Sequence, residues 1–173
     1  MISNKMETAI NGQINIEVYS SYLYYAMAAY FEKLSLKGFA HWMRIQALEE
    51  LTHVQKLITF INDRGGEVKL ETVEAPPLKW ESPLAALEAT YKHEVMVTGL
   101  INNLMDTAFE AKDHAAVNFL QWFVAEQVEE EASVDEAVQR LKLVRQSEGG
   151  LFLVDREMDN RTFTLPADLV GVF

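Results

Sequence analysis

The chain has 173 residues, 49% of them hydrophobic and 24% charged, a balance that suits one domain with a sizeable core and excludes a disordered polypeptide. It contains no cysteine, so disulfide scaffolds, zinc ribbons, thiol catalysis and cysteine-ligated clusters are excluded, and any metal site must use oxygen and imidazole ligands. The 26 acidic residues against 15 basic ones give a formal charge of -11, which disfavours a nucleic-acid partner and attracts cations. Nothing near Met1 reads as a basic segment followed by an apolar run, and no stretch approaches the roughly 18 apolar residues of a membrane span. A cytoplasmic location without membrane or nucleic-acid partners is the expectation.

Breakers are sparse. Gly65-Gly66, Pro76-Pro77 and Pro83 bracket one extended segment from about Gly65 to Ser82. Elsewhere, stretches of about 30 residues rich in Ala, Leu, Glu, Gln, Met and Lys contain no proline, which predicts long helices near 4–34, 38–64, 83–111 and 114–145. Ser3 or Asn4 can cap the first helix, and Ser35-Leu36-Lys37-Gly38 gives a short turn that leaves the first two helices antiparallel. The link to the third helix, about 17 residues, is long enough to run the length of a bundle. Ser82-Pro83 reads as a cap with proline at the first helical position. Lys112-Asp113 makes the next turn short, so the last two long helices are antiparallel as well. After Gly149-Gly150, Leu151 to Met158 predicts a short fifth helix near 149–160, followed by a tail, 161–173. The fold class is therefore all-α: a four-helix bundle over about 4–145 with a long crossover between the second and third helices, and a short fifth helix.

A heptad spacing laid on each long helix gives the seam it would turn toward its partners. The first reads Met6, Ile10, Gln13, Glu17, Ser20, Tyr24, Met27, Phe31, and the second Phe39, Met43, Gln46, Glu50, His53, Leu57, Phe60. The third reads Leu84, Leu87, Tyr91, Glu94, Thr98, Ile101, Met105, Ala108, and the fourth Ala116, Leu120, Phe123, Gln127, Glu130, Val134, Ala137, Leu141, Val144. Every seam is apolar at its ends and polar or acidic in the middle. Helix midpoints fall near residues 19, 51, 97 and 130, so Glu17, Glu50, His53, Glu94, Gln127 and Glu130 each lie within about three residues of one, under about 5 Å of axial rise. Antiparallel packing of helices of similar length brings the midpoints level. Carboxylates gathered in that way must take up protons or bind cations, and the middle turns of the seams hold no Lys or Arg. Hard oxygen donors with one imidazole suit iron or manganese.

Glu17, Tyr24, Glu50-x-x-His53, Glu94 and Gln127-x-x-Glu130, spread over about four-fifths of the chain, resemble the di-iron ferroxidase pattern of the prokaryotic non-haem ferritins, members of the ferritin-like di-iron superfamily. The resemblance implies that Glu17 and His53 bind one iron, Glu94 and Glu130 a second, and Glu50 bridges them. It implies a third iron at Glu49, Glu126, Glu129 and Glu130, with Gln127 a hydrogen-bonding neighbour of the site. Tyr24, and secondarily Trp122, would serve as electron donors. The implied activity is oxidation of Fe(II) to Fe(III) by dioxygen or peroxide and deposition of ferric mineral inside a homo-oligomeric shell, 24 subunits in this family, with no haem.

Related families fit less well. Rubrerythrins carry a cysteine-rich module, and bacterioferritins place a haem-ligating methionine where this chain has Thr52 and a second Glu-x-x-His where it has Gln127-x-x-Glu130. Mini-ferritins build their site between subunits, and di-iron oxygenases are longer. Two alternatives remain open: a helical-bundle interaction module with a buried polar layer for register, and a small-oligomer ferroxidase that stores nothing. His41, His93 and His114 lie off the seams and read as surface or interface residues. Leu151 to Val154 suit a helix near a symmetry axis, and Leu78 and Trp80 read as exposed apolar residues that favour association. Leu169, Val170, Val172 and Phe173 dock on the bundle or contact a partner.

Overall fold

The structure of the chain is a computed structural model that describes residues 1–147 and 149–171. Four long helices, α1 (Asn4–Lys33), α2 (Lys37–Asp63), α3 (Pro83–Glu110) and α4 (His114–Leu143), are followed by α5 (Gly150–Met158) and a 3-10 turn at Ala167–Leu169; the described residues contain no strand. The predicted boundaries of the long helices agree with these to within two residues. Among the described residues no helix is long and apolar enough to cross a membrane.

Local chemistry sets the ends. Ser3 Oγ accepts from the amide of Met6, Ser82 Oγ from that of Ala85 with Pro83 in the first turn, and Asp113 Oδ1 from that of Ala116. Ser35 and Lys112 take positive φ, 62° and 52°, to close the two short turns without glycine. The start of α2 has no capping side chain of its own, because Leu36 stands there. Asp155 of α5 supplies the acceptor instead, its Oδ1 lying 3.0 Å from the amide nitrogen of Phe39. That approach requires a glycine at position 38, where a Cβ would sit 1.6 Å from the carbonyl oxygen of Asp155. Docking of α5 and capping of α2 are thus one event.

α1 packs along α2 and α3 along α4, and α1 also meets α3. No Cα atom of α2 lies within 8 Å of one on α4, so the space between them is spanned by side chains. α2 and α3 run in the same direction, and the connecting segment must return along the whole bundle. α3 is about 42 Å long at 1.5 Å per residue, a distance that roughly thirteen extended residues cover. Asn11 on α1 holds this segment in place: its amide donates to the carbonyl of Glu67 (3.0 Å) and its oxygen accepts from the amide of Lys69 (2.7 Å). Trp80 is partly buried, its ring 5.2 Å from that of Tyr30; Leu78 is 75% exposed.

The apolar core falls into two halves. One joins Met27, Phe31, Phe39, Met43, Leu87, Val134 and Leu141 with Val154 and Met158 of α5. The other joins Met6, Ile10, Ile14, Leu57, Ile61, Ile101, Leu104, Leu120 and Phe123. The predicted seams of α1 and α4 are buried along nearly their whole lengths. On α3 the buried stripe is displaced by one residue in places, to Thr90, Val97 and Leu104 instead of Tyr91, Thr98 and Met105. The cause is that α3 faces both α1 and α4, so its inward stripe is wider than a two-helix seam. In the tail, Leu169 is buried and Val170 exposed; Val172 and Phe173 lie outside the described residues.

Candidate metal centre

Between the two apolar halves lies a polar layer. Glu17 and Glu94 are 1% exposed, Glu50 and His53 2%, Gln127 and Glu130 4%. Each helix contributes from its seam. Positions 13, 17, 20 and 24 share one face of α1, and Glu50 and His53, one turn apart, share one face of α2. Gln13 Nε2 donates to Glu17 Oε1 (2.8 Å), and Gln46 Nε2 crosses from α2 to Glu130 Oε2 on α4 (2.7 Å). His53 Nδ1 lies 3.2 Å from Glu50 Oε2 and 4.0 Å from Glu17 Oε2. The Tyr24 hydroxyl donates to Glu94 Oε1, and Gln127 Nε2 donates to the carbonyl (3.3 Å) and Oε2 (3.4 Å) of Glu94.

Among the described residues, two sets of side chains have the reach for a cation. Ligand atoms of Glu17, Glu50 and His53 lie within 4.8 Å of one another, as do those of His53, Glu126 and Glu130. His53 belongs to both. Glu94 belongs to neither set; its carboxylate accepts from Tyr24 and Gln127 and lies close enough to Glu50 and Glu130 to raise their mutual repulsion. Glu49, Glu126, Glu129 and Glu130 line a cavity of about 410 Å³ that opens outward from the layer. There Glu49 is paired with Arg161 of the tail (2.5 Å), Glu126 is half-buried and Glu129 is exposed.

The electrostatics follow from this crowding. Burial, then the charge of Glu50, pushes Glu17 up to about 8; burial, then Glu130, pushes Glu94 up to about 8. Burial and the neighbouring Glu94 and Glu130 hold Glu50 well above the usual carboxylate range. Glu49 rises to about 7 through burial despite Arg161, and Glu126 is raised for the same first reason. Burial beside Glu94 raises the Tyr24 phenol as well. Such a layer without a cation must hold protons. Glu17 Oε2 and Gln46 Oε1 are buried and have no hydrogen-bond partner, and the donor set is oxygen and imidazole throughout. Both features suit a hard metal ion of the iron or manganese type.

Several residues escaped sequence reasoning. Gln13 and Gln46 stood in the seams but received no role, although amides beside a carboxylate layer are natural orienting groups. His93 is a correction. It is buried rather than superficial, its Nε2 lies 2.7 Å from Ser20 Oγ, and burial lowers it to about 4, so it is neutral at pH 7. Its position beside Tyr19 and Tyr24, at 5.9 Å from each ring, follows from the widened stripe of α3. His41 is partly buried and donates to the carbonyl of Arg161 (2.8 Å); His114 is exposed. Arg161 could not be assigned to the site from a heptad, because it lies in the tail.

Fold and site together define a four-helix-bundle protein with a buried carboxylate–histidine centre able to hold metal. Comparison with known families matches residues 7–144 to the ferritin-like domain of the ferritins. A bacterial non-heme ferritin of Bacteroides fragilis is 41% identical over 161 residues, 93% of this chain and 100% of that one, and a probable bacterial non-heme ferritin-like protein of Haemophilus influenzae is 38% identical over 160 residues, 92% of this chain and 97% of that one. Among solved structures, an engineered closed form of the Archaeoglobus fulgidus ferritin superposes with a TM-score of 0.93 at 52% identity, covering 95% of this chain and 100% of that one. The open pore ferritin of the same archaeon gives 0.92 at 52% identity, covering 94% and 100%. The chain belongs to the ferritin family.

Proposed function

We propose that this chain is the ferroxidase subunit of a cytoplasmic iron-storing shell. The observation that carries the reading is the buried layer itself: four glutamates and one histidine from four helices, with an unpartnered carboxylate oxygen and no lysine or arginine among them. Its substrates are Fe(II) and dioxygen or peroxide. Glu17 and His53 hold one ferrous ion, Glu94 and Glu130 the second, and Glu50 spans both. Gln13 and Gln46 orient Glu17 and Glu130, while Gln127 and the Tyr24 hydroxyl orient Glu94.

Holding two ferrous ions side by side lets each give one electron to a single dioxygen, so that 2 Fe(II), O₂ and 2 H⁺ become 2 Fe(III) and H₂O₂. The anionic layer favours the higher ferric charge, and the phenol of Tyr24 stands ready to supply a further electron. Ferric ions then pass toward the cavity bounded by Glu49, Glu126, Glu129 and Glu130, which hold a third ion. Hydrolysis of each Fe(III) by two waters gives FeOOH and three protons, and the mineral accumulates inside the shell. Assembly into 24 subunits is supported by the similarity to the ferritins above, with the exposed Leu151, Phe152 and Leu153 of α5 available for contacts.

The test is Glu50→Ala. Stopped-flow mixing with two Fe(II) per subunit should show rapid oxidation slowed beyond the roughly 10- to 100-fold that loss of an outer hydrogen-bond partner causes, with full helicity by circular dichroism. Wild-type oxidation by that variant sinks the reading. Diffraction from crystals soaked in ferrous iron, recorded at the iron edge, locates the ions, and the size-exclusion mass separates a shell from a small oligomer.

A further inference from the structure

We infer that Arg161 is a built-in cation of the acidic cavity: its guanidinium occupies the Glu49 carboxylate that a third iron needs, which keeps that outer position weak and transient. The inference rests on the reading just proposed, in which Glu49 is a ligand of the third ion.

Two arginines line the cavity. Arg140 is already engaged by Glu136 (2.6 Å) and Glu157 (2.9 Å). Among the described residues the Arg161 guanidinium pairs with Glu49, with Nη2 2.5 Å from Oε2, and its buried Nη1 has no further partner there. Both side chains of the pair are 22% exposed, so the pair is mostly withdrawn from water. Among the described residues neither Glu126 nor Glu129 forms an ion pair of this kind, Lys56 acting on Glu126 only from a distance.

The arginine is placed by the backbone rather than by a wandering side chain. α5 is seated on α2 through Gly38 and the Asp155–Phe39 bond, and the carbonyl of Arg161 accepts from His41 Nε2. The guanidinium carbon then lies 4.8 Å above the ring of Trp42, where the aromatic face attracts it. Farther along the tail, Asp168 pairs with Lys56 and Leu169 is buried. Glu49, His53 and Lys56 are spaced for one face of α2, so the tail crosses the helix beside the histidine of the centre. Little conformational freedom is left to lose when the pair forms.

An ion entering at Glu49 must therefore displace a positive charge that is already in place. A pair of this kind contributes roughly two- to fivefold to a competing equilibrium. The two inner ions meet no such competitor, because no arginine reaches Glu17, Glu50 or Glu94. The expected outcome is two tight sites and one from which iron leaves readily toward the cavity.

The experiment is an anaerobic calorimetric titration of the full chain with Fe(II), comparing wild type with R161Q and R161M, the latter retaining the aliphatic stem over Trp42. Both variants should tighten the third binding step about two- to fivefold and leave the first two unchanged. With E49Q in place, R161Q should add nothing, since the competition has lost its object. The inference is overturned if the third step in either folded variant matches wild type, if the R161Q effect persists undiminished in E49Q, or if no third step exists in any of them. Intact first and second steps in those cases leave the two-iron reading standing; absence of all binding by wild type removes both.

Discussion

Glu17→Gln should stabilise the metal-free protein. In the folded chain, burial beside Glu50 lifts Glu17 to about 8, whereas its ordinary value is 4.5. Between those values the folded state holds a proton that the unfolded state has released, so stability falls as pH rises. Its contribution is whole below pH 4.5 and is lost progressively up to about 8. One retained proton costs about 1.4 kcal/mol per pH unit, so at pH 7 the carboxyl destabilises the fold by about 3 kcal/mol. Glutamine has the same shape, keeps an acceptor for Gln13 and carries no such cost. The metal-free variant should gain about 3 kcal/mol at pH 7, or roughly 6–12 °C in unfolding midpoint for a chain of this size, and nothing at pH 4.5. Thermal unfolding followed by circular dichroism from pH 4.5 to 8 measures this directly. Adding Fe(II) under nitrogen should reverse the order, because the ion stabilises only the chain that binds it. A variant less stable than wild type at pH 7, or a gain independent of pH, refutes the reasoning.

Asp113 caps α4 and accepts from both terminal nitrogens of Arg64, at 3.1 and 3.0 Å. Asp113→Ala should lose about 2 kcal/mol in denaturant unfolding. Arg64 holds that carboxyl below its usual range, so this stability is present above pH 4 and disappears as pH falls through the depressed value, a loss that Asp113→Asn should flatten. Gly38→Ala drives a Cβ into the Asp155 carbonyl. It should release α5, read as protease cleavage between residues 145 and 160, with about 3 kcal/mol lost. Tyr24→Phe strips the phenolic donor from buried Glu94; it should cost about 1–2 kcal/mol in thermal unfolding and slow ferrous oxidation in stopped flow.

Much of this molecule was legible because periodicity and punctuation agree. Ser82-Pro83 and Lys112-Asp113 mark helix ends by their chemistry alone, and the seams of α1 and α4 read correctly because each faces inward along its whole length. The layer was legible because Glu17, Glu50, Glu94 and Glu130 sit at matching depths in helices of matching length, which a one-dimensional count can reveal. What could not be read depends on a second surface. His93 lies one residue off the two-helix seam of α3, and only its double packing buries it. Asn11 anchors a segment more than fifty residues away, and Asp155 caps a helix that begins more than a hundred residues earlier. Arg161 reaches Glu49 only because α5 aims the tail back along α2.

The placement of the layer explains how the fold tolerates it. Apolar side chains fill the bundle on both sides, with Tyr24, Met27, Phe31 and Met43 toward one end and Ile10, Ile14, Leu57 and Phe123 toward the other. Each half buries its own set of large side chains, so the helices stay in register even while the carboxyls between them are protonated and strained. Moving the layer to one end would leave a single apolar half to oppose the repulsion, and fraying there would let water in. Held at mid-bundle, the same repulsion cannot be relieved by separating the helices. It is relieved by protons or by cations, which compete for the same carboxylates.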